Sequence, residues 1–295
     1  MSYGVFRYPG GKSKKSVRER IFKYFPLSYD EIRIPFVGGG GIFFHVPINK
    51  KRWINDIDSA LISVYKALRD RPEDFISKCR EIEPHNEKEA TQAVLRGRKV
   101  YNRRMRDIFD RFAHDEEMDQ ALRYFFIQRT VFAGRVNYDI DSRLYFSNPP
   151  GWSIVKTNKL EKAAEILKNV KITSDSYEES LNLVGNNVLI YLDPPYYVNT
   201  ELQSHSQLYK HNFTVEDHKD LAENVKVCKH KVIMSYDDDE DGFIRSLYDG
   251  FNIYEEEWTY CGTSSGKNQS KKKKIGKELI ITNFKNKTVF DLFED

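Results

Sequence analysis

The sequence lacks the features of a secreted, membrane-bound or metal-binding protein. Its three cysteines are widely spaced in 295 residues and form no Cys-x-x-Cys pair, so neither a disulfide framework nor a zinc site is indicated. No apolar run approaches the roughly 20 residues that a membrane-spanning helix needs. The first residues have no apolar signal core. We therefore expect a cytoplasmic protein that binds no metal and no membrane.

Two common nucleotide-binding fingerprints are also missing. The glycine-rich stretch 38–41 does not continue as G-x-G-x-x-G, because Phe43 stands where the third glycine would be. No Gly-Lys-Ser/Thr sequence follows it either. The stretch therefore fits neither a nicotinamide dinucleotide site nor a P-loop.

Charge is segregated along the chain, although the net charge is only +3. Residues 96–111 carry seven basic and two acidic side chains, and residues 267–277 carry six lysines and no acid. A single cluster of this kind is usually a solvated face. Several basic clusters together favour a polyanionic partner, since they gain affinity by releasing phosphate counterions.

The order of predicted elements indicates an α/β fold with a doubly wound, mostly parallel sheet. A short strand at 32–37 runs into the glycines, a second strand at 52–55 ends at Asp56, and the apolar run 187–192 reads as a buried central strand. Between these parts the chain becomes more charged and mainly helical. We predict one α/β domain from residues 1–69 and 152–295, with an inserted, mainly helical domain at 70–151.

The sequence Asp193-Pro194-Pro195-Tyr196 directly follows the buried strand and is the most informative motif. Ligands of open α/β sheets bind beyond the carboxyl ends of the strands. Two prolines fix the backbone, so the motif offers a carboxylate, a rigidly held carbonyl and an aromatic face. This set suits a planar amine that donates to Asp193 and to the Pro194 carbonyl while its ring stacks on Tyr196. We therefore predict Asp193, Pro194 and Tyr196 as catalytic residues.

Two further features lie at predicted strand ends. The turn Pro35–Gly41 would let a ligand approach the backbone closely. Asp56 follows the second strand, where an acid can accept both hydroxyls of a ribose. The alternative role for Asp56 is to cap a helix over 57–68, and the sequence leaves both roles open.

Together these motifs resemble the Dam-type, N6-adenine-specific DNA methyltransferases, over about the first 70 residues and most of the chain after 150. The resemblance implies a Rossmann-like fold that uses S-adenosylmethionine. It also implies that the opening Tyr-Pro-Gly-Gly-Lys, the glycine turn, the acid after the second strand and a later Asp-x-Tyr hold this cofactor. The implied cofactor-binding residues are Tyr8, Lys12, Phe36, Gly38, Gly39, Gly40, Asp56, Asp175, Tyr177 and Asp193. The family often has an acid where this sequence has Ile34.

The resemblance further implies double-stranded DNA as the partner and an adenine that is flipped out of the duplex. We expect a monomer, because one acceptor base is modified per visit. Base edges are expected to be read from the inserted domain, by Arg129, Arg135, Asn137 and Arg143. Four consecutive lysines near the end of the chain are expected to grip phosphates, namely Lys271, Lys272, Lys273 and Lys274.

Two alternatives remain open from the sequence. An RNA or protein-glutamine methyltransferase would keep the cofactor and change the acceptor, although such enzymes more often have Asn-Pro-Pro-Tyr. A catalytically silent nucleic-acid-binding module would account for the basic clusters alone. The intact Asp193 motif argues against the silent module, because a protein that only binds has no need of that carboxylate.

Overall fold

A computed structural model describes residues 6, 12–82, 110–111, 116–130, 137–138, 144–145, 157–197, 213–239, 241–259 and 275–285. Its strands are β1 Glu31–Ile34, β2 Lys51–Asn55, β3 Asn137–Tyr138, β4 Leu144–Tyr145, β5 Val170–Thr173, β6 Val188–Leu192, β7 Lys231–Asp237, β8 Asn252–Thr259 and β9 Ile275–Thr282. Its helices are α1 Lys15–Phe22, α2 Ser59–Asp70, α3 Pro72–Ile82, α4 Glu117–Thr130, α5 Thr157–Leu167, α6 Tyr177–Asn182, α7 Val215–Val227 and α8 Phe243–Leu247. A short 3-10 helix covers Phe43–His45.

Seven strands form one mixed sheet in the order β5-β2-β1-β6-β7-β9-β8. The first five strands of this order pair in parallel, and β9 lies antiparallel between β7 and β8. Strands β3 and β4 make a separate two-stranded pair. The prediction of an α/β fold with a mostly parallel sheet is confirmed.

The strand order determines at which point of the sheet a ligand is expected to bind. From β1 the chain moves outward through β2 to β5, then returns to the other side of β1 as β6. The order therefore reverses between β1 and β6, and crevices at such switch points bind ligands in doubly wound sheets. The glycine turn follows β1 and the Asp193 motif follows β6, so the topology brings the two predicted motifs together.

Local sequence explains the elements around this edge. Every residue of β6 is buried, as its continuous apolar run predicts. Thr214 and Asp217 form a reciprocal capping box at the start of α7, as the spacing of a threonine three residues before an acid predicts. Strand β1 ends earlier than the predicted 37, because Pro35 cannot donate a backbone hydrogen bond and the chain turns there.

Helices α3 and α4 pack against α2, and all three helices share an apolar core with the sheet. Phe75 of α3 and Phe125 of α4 are in edge-to-face contact at 5.5 Å, and both belong to the apolar core that includes α2 and one face of the sheet. Of residues 70–151, the structure describes 70–82, 110–111, 116–130, 137–138 and 144–145. Within the described part of the chain, no helix has both the length and the apolar character to span a membrane.

Candidate active site

A cleft of about 420 Å³ opens at the carboxyl ends of β1, β2, β5 and β6. That volume is in the range of pockets for small molecules and cofactors. The cleft is lined by most of the described residues that the sequence singled out, namely Lys12, Phe36, Gly38, Gly39, Asp56, Asp175, Tyr177, Asp193, Pro194 and Tyr196. Tyr8 lies outside the described residues.

Gly40 allows the backbone of the glycine turn to adopt its conformation and to pack closely. Its φ is +70°, and an added Cβ would lie 2.7 Å from ring atoms of Phe44 and from the hydroxyl of Tyr65. Gly38 also has a positive φ, of 46°, and its carbonyl accepts a hydrogen bond of 2.8 Å from Tyr65. The turn therefore needs glycine for backbone conformation and for close packing, and Gly38 and Gly39 leave the cleft wall without side chains.

The Asp56 carboxylate fastens the glycine turn to the end of β2. Its Oδ2 accepts the Gly38 N–H at 2.9 Å and its Oδ1 accepts the Asp58 N–H at 3.1 Å. Burial, helped by the negative charge of Asp58, raises the pKa of Asp56 to about 7. Asp58 caps α2 by accepting from Ala60 and Leu61, so the alternative that Asp56 caps this helix is wrong.

Asn55 is a residue of this site that the sequence did not single out. Its side-chain amide donates to the carbonyls of Pro35 and Asp175, at 3.1 and 2.9 Å. Its Oδ1 accepts from the Thr173 hydroxyl at 2.7 Å and from the Asp175 N–H at 2.8 Å. With both donors and both acceptor positions used, Asn55 fixes the ends of β1 and β5 relative to β2.

Aromatic rings form one wall of the cleft. Phe36 stacks on Tyr177 with ring centroids 5.5 Å apart, and Phe213 meets Phe36 edge to face at 5.9 Å. Tyr177 begins α6 and Phe213 precedes α7, so elements on both sides of the switch point supply this wall. Burial is the main reason that the pKa of Tyr177 is raised, and the neighbouring Glu178 adds to the effect.

One oxygen of Asp193 is held by two donors. Oδ1 accepts from Lys12 Nζ at 2.9 Å and from the Ser235 hydroxyl at 3.0 Å. Ser235 has one hydroxyl hydrogen, which it gives to Asp193, so the Tyr191 hydroxyl donates to Ser235 across 2.9 Å. These contacts fix the rotation of the carboxylate and direct Oδ2 away from them.

Lys12 is buried beside the Asp193 motif, with 3% of its side chain exposed. Besides Asp193, its ammonium donates to the Tyr196 hydroxyl and lies 3.6 Å from Glu278 Oε2. Ser235 and Glu278 were missed as site residues by the sequence. The sequence signal for Glu278 was a glutamate next to the apolar residues of β9. Nothing in the sequence marked Ser235 as a site residue.

Negative charge dominates the cleft. Seven carboxylates line it, and among the residues that the structure describes Lys12 is the one basic side chain in that lining. These carboxylates are Asp56, Asp58, Asp175, Glu178, Asp193, Asp217 and Asp220. Such a lining attracts a cationic ligand and repels phosphates.

The structure describes no side chain of the residues predicted to contact DNA. For two of them, Arg129 at the end of α4 and Asn137 in β3, the structure describes the backbone element and not the side chain. The others lie wholly outside the described residues, namely Arg135, Arg143, Lys271, Lys272, Lys273 and Lys274. Their contacts with DNA therefore stay predictions.

Comparison with known proteins identifies the family. Residues 8–261 match the model of the D12 class N6 adenine-specific DNA methyltransferases. The chain belongs to this family. It is therefore an adenine-specific DNA methyltransferase, as the sequence motifs predicted, and the RNA, protein-glutamine and catalytically silent alternatives are set aside.

Individual relatives agree with the family. The Type II methyltransferase M1.LlaDCHI of Lactococcus lactis subsp. cremoris is 28% identical over 287 residues, which cover 95% of each chain. The Type II methyltransferase M.MjaIII of Methanocaldococcus jannaschii is 26% identical over 84% of this chain and 88% of its own. A DNA adenine methylase of Vibrio cholerae is 25% identical over 89% of this chain and 91% of its own.

Proposed function

We propose that this methyltransferase takes its methyl group from S-adenosylmethionine, bound in the acidic cleft, and transfers it to the N6 amine of an adenine flipped out of double-stranded DNA. The observation that carries the donor assignment is the charge of the cleft, with seven carboxylates against one lysine. S-adenosylmethionine has a net positive charge and no phosphate, so it fits this lining. When bound, it supplies a methyl group activated by a sulfonium.

The cleft residues divide the binding of this donor among them. Each oxygen of Asp56 accepts one backbone N–H and so keeps one acceptor position for a ribose hydroxyl. Phe36 and Tyr177 offer aromatic surface to the adenine of the donor, and Asp175 lies beside them. Gly38 and Gly39 let the rest of the molecule approach the backbone.

The Asp193 motif prepares the acceptor amine. The exocyclic nitrogen of adenine is a poor nucleophile, because its lone pair is delocalised into the ring. With Oδ1 engaged by Lys12 and Ser235, Oδ2 of Asp193 accepts one N–H and the Pro194 carbonyl accepts the other. These bonds favour a tetrahedral nitrogen with a localised lone pair, and Tyr196 stacks on the base. Catalysis then comes mainly from orientation and electrostatics.

DNA is bound by other parts of the chain than those that bind the donor. In this proposal residues 70–151 recognise the target, and a monomer binds the duplex. The residues that face the bases are Arg129, Arg135, Asn137 and Arg143. The residues that hold phosphates are Lys271, Lys272, Lys273 and Lys274. The dense positive charge of residues 267–277 supports the phosphate role, because lysines that neutralise phosphates release counterions.

Replacement of Asp193 tests the catalytic assignment. We expect Asp193→Ala to abolish transfer of labelled methyl from S-adenosylmethionine to duplex DNA, because the amine loses its charged acceptor. The matched control is Asp249→Ala, an exposed carboxylate on the turn before β8, which should keep wild-type activity. Turnover in the Asp193 variant with its fold intact by circular dichroism contradicts the mechanism. Absence of label from N6-methyladenine in wild-type reactions contradicts the donor or the acceptor.

The phosphate contacts have a separate test. If Lys271, Lys272, Lys273 and Lys274 bind phosphates, replacing all four by alanine should reduce the slope of log affinity against log salt by about 3 to 4. Fluorescence anisotropy with a labelled duplex measures this slope. An unchanged slope excludes that role for the lysines.

A further inference from the structure

Glu278 is a charged side chain completely buried beneath the active site. It lies on β9, between β7 and β8, and none of its surface is exposed. Burying a carboxylate without a partner is costly, so such a residue is expected to have a specific one. One partner of Glu278 is the ammonium of Lys12, 3.6 Å from its Oε2.

Lys12 connects Glu278 with the catalytic motif. The same ammonium donates to Oδ1 of Asp193 at 2.9 Å and to the hydroxyl of Tyr196. Glu278, Lys12 and Asp193 together carry a net charge of −1 in a largely buried group, with exposed fractions of 0, 3 and 23%. Removing the charge of Glu278 would leave this group neutral, with the charge of the lysine no longer shared between two carboxylates.

The neighbouring strand β8 carries a second buried glutamate, whose partners stabilise the fold. Glu256 on β8 is directly opposite Glu278 in the antiparallel register, and it is also buried. Glu256 forms ion pairs with Lys23 and Arg20 and accepts from the Tyr24 hydroxyl at 2.7 Å, so it ties α1 and the segment after it to the sheet. The two glutamates are neighbours across paired strands, but their partners differ. Glu256 pairs with residues of α1 and the segment after it, whereas Glu278 contacts Lys12.

We propose that Glu278 is a positioning residue for methyl transfer, which acts by holding the Lys12 ammonium between Asp193 and Tyr196. This inference rests on the proposed role of Asp193. Glu278 itself touches neither the donor nor the base. Its carboxylate shares the positive charge of the lysine with Asp193, which therefore remains a strong acceptor for the amine.

The charge of the group matters for the chemical step. The N6 lone pair forms the new N–C bond while the C–S bond breaks and its electron pair stays on sulfur. Positive charge therefore moves from sulfur to N6, and one N–H proton then passes from the nitrogen to water. The Asp193 carboxylate beside N6 stabilises that developing charge, and it does so less when Lys12 is paired with it alone.

The first experiment compares Glu278→Gln with Glu256→Gln in the full-length protein. We expect Glu278→Gln to lower the single-turnover rate by about 10- to 100-fold, as for loss of one electrostatic contribution to a transition state. Dissociation constants for S-adenosylmethionine, by calorimetry, and for duplex DNA, by anisotropy, should change less than about threefold. Glu256→Gln should lose stability yet keep its rate. An unchanged rate in Glu278→Gln, or weaker binding that accounts for the loss, overturns the proposal.

The second experiment asks whether Glu278 acts through Lys12. In a Lys12→Met background, Glu278→Gln should have little further effect on rate, or should raise it, because the carboxylate then has no lysine to hold. Multiplication of the two single effects would show independent roles and would overturn the proposal. If Glu278→Gln does not fold, Glu278→Asp replaces it. Its shorter side chain should lower the rate with unchanged binding constants, and a wild-type rate would overturn the proposal.

The two proposals can fail separately. Activity in Asp193→Ala removes the proposed catalytic role of Asp193 and the role of Glu278 with it. Loss of activity in Asp193→Ala beside a wild-type rate in Glu278→Gln removes the inference about Glu278 alone.

Discussion

Two buried groups, Asp56 and His218, should give opposing pH dependences to the stability of the ligand-free protein. Burial raises the pKa of Asp56 to about 7. Burial also lowers the pKa of His218 to about 4, although the charge of Asp217 partly opposes that change. His218 is completely buried, in contact with the rings of Tyr197 and Phe213.

The sign follows from which state binds more protons. Between pH 4 and 7 native Asp56 holds a proton that the unfolded chain has lost, so its contribution to stability is lost as the pH rises toward 7. Between pH 6.5 and 4 the unfolded chain protonates at His218 and the native protein does not, so that contribution is lost as the pH falls. From pH 5 to pH 8, Asp56 should lower the free energy of unfolding by about 2–3 kcal/mol and His218 should raise it by about 2 kcal/mol.

The two effects nearly cancel in the wild-type protein and separate in variants. Asp56→Asn removes the ionisation, so its stability should rise from pH 5 to pH 8 relative to wild type by about 2–3 kcal/mol. His218→Leu should show the opposite change, by about 2 kcal/mol. Urea unfolding at several pH values, without cofactor or DNA, measures both, and the comparison with wild type removes contributions from other groups. Identical pH profiles for wild type and Asp56→Asn would refute the reasoning.

Three other substitutions test the packing and the site. Gly40→Ala should destabilise the protein by about 2–4 kcal/mol in urea unfolding, because φ is +70° and the new Cβ would lie 2.7 Å from two aromatic side chains. Arg33→Met should cost about 3 kcal/mol, because this buried guanidinium donates to the carbonyls of residues 180, 183 and 184. Ser235→Ala should lower kcat about tenfold at constant KM, since Asp193 loses one of the donors to Oδ1.

Each of these substitutions has a matched control. Gly250 also has a positive φ, of 85°, but no atom within 4 Å of an added Cβ, so Gly250→Ala should cost about 1–2 kcal/mol, less than Gly40→Ala. Arg80 is an exposed arginine, and Arg80→Met should change stability by less than about 0.5 kcal/mol. Tyr191→Phe leaves the bond from Ser235 to Asp193 in place and should lower kcat less than Ser235→Ala. Equal effects within any pair would contradict the structural explanation.

Features that depend on neighbouring residues were predictable from the sequence. The apolar run of β6 and the prolines after it specify a buried strand that ends at the Asp193 motif, and the structure has this strand over Val188–Leu192. The capping box of Thr214 and Asp217 was predicted from spacing alone. The alternation of strands and helices gave the sheet class, because connections between parallel strands require it.

Neighbouring residues were not sufficient for the cap of α2. Asp56 and Asp58 both precede this helix, and either could have capped it by type and spacing. The structure gives the cap to Asp58, since the Asp56 carboxylate is turned toward the Gly38 N–H on another strand end. A contact between the ends of β1 and β2 therefore determines which of the two aspartates caps α2.

The sequence by itself determined the chemistry at the strand ends, because the Asp193 motif, the glycine turn and Asp56 each have a local signature. The tertiary structure alone decided the network around Asp193, which joins Lys12, Ser235 and Glu278 from distant parts of the chain. The physical reason is the sheet. Its order puts β9 beside β7, and the register decides which side chains share a face, since a shift of one residue would turn each to the opposite side.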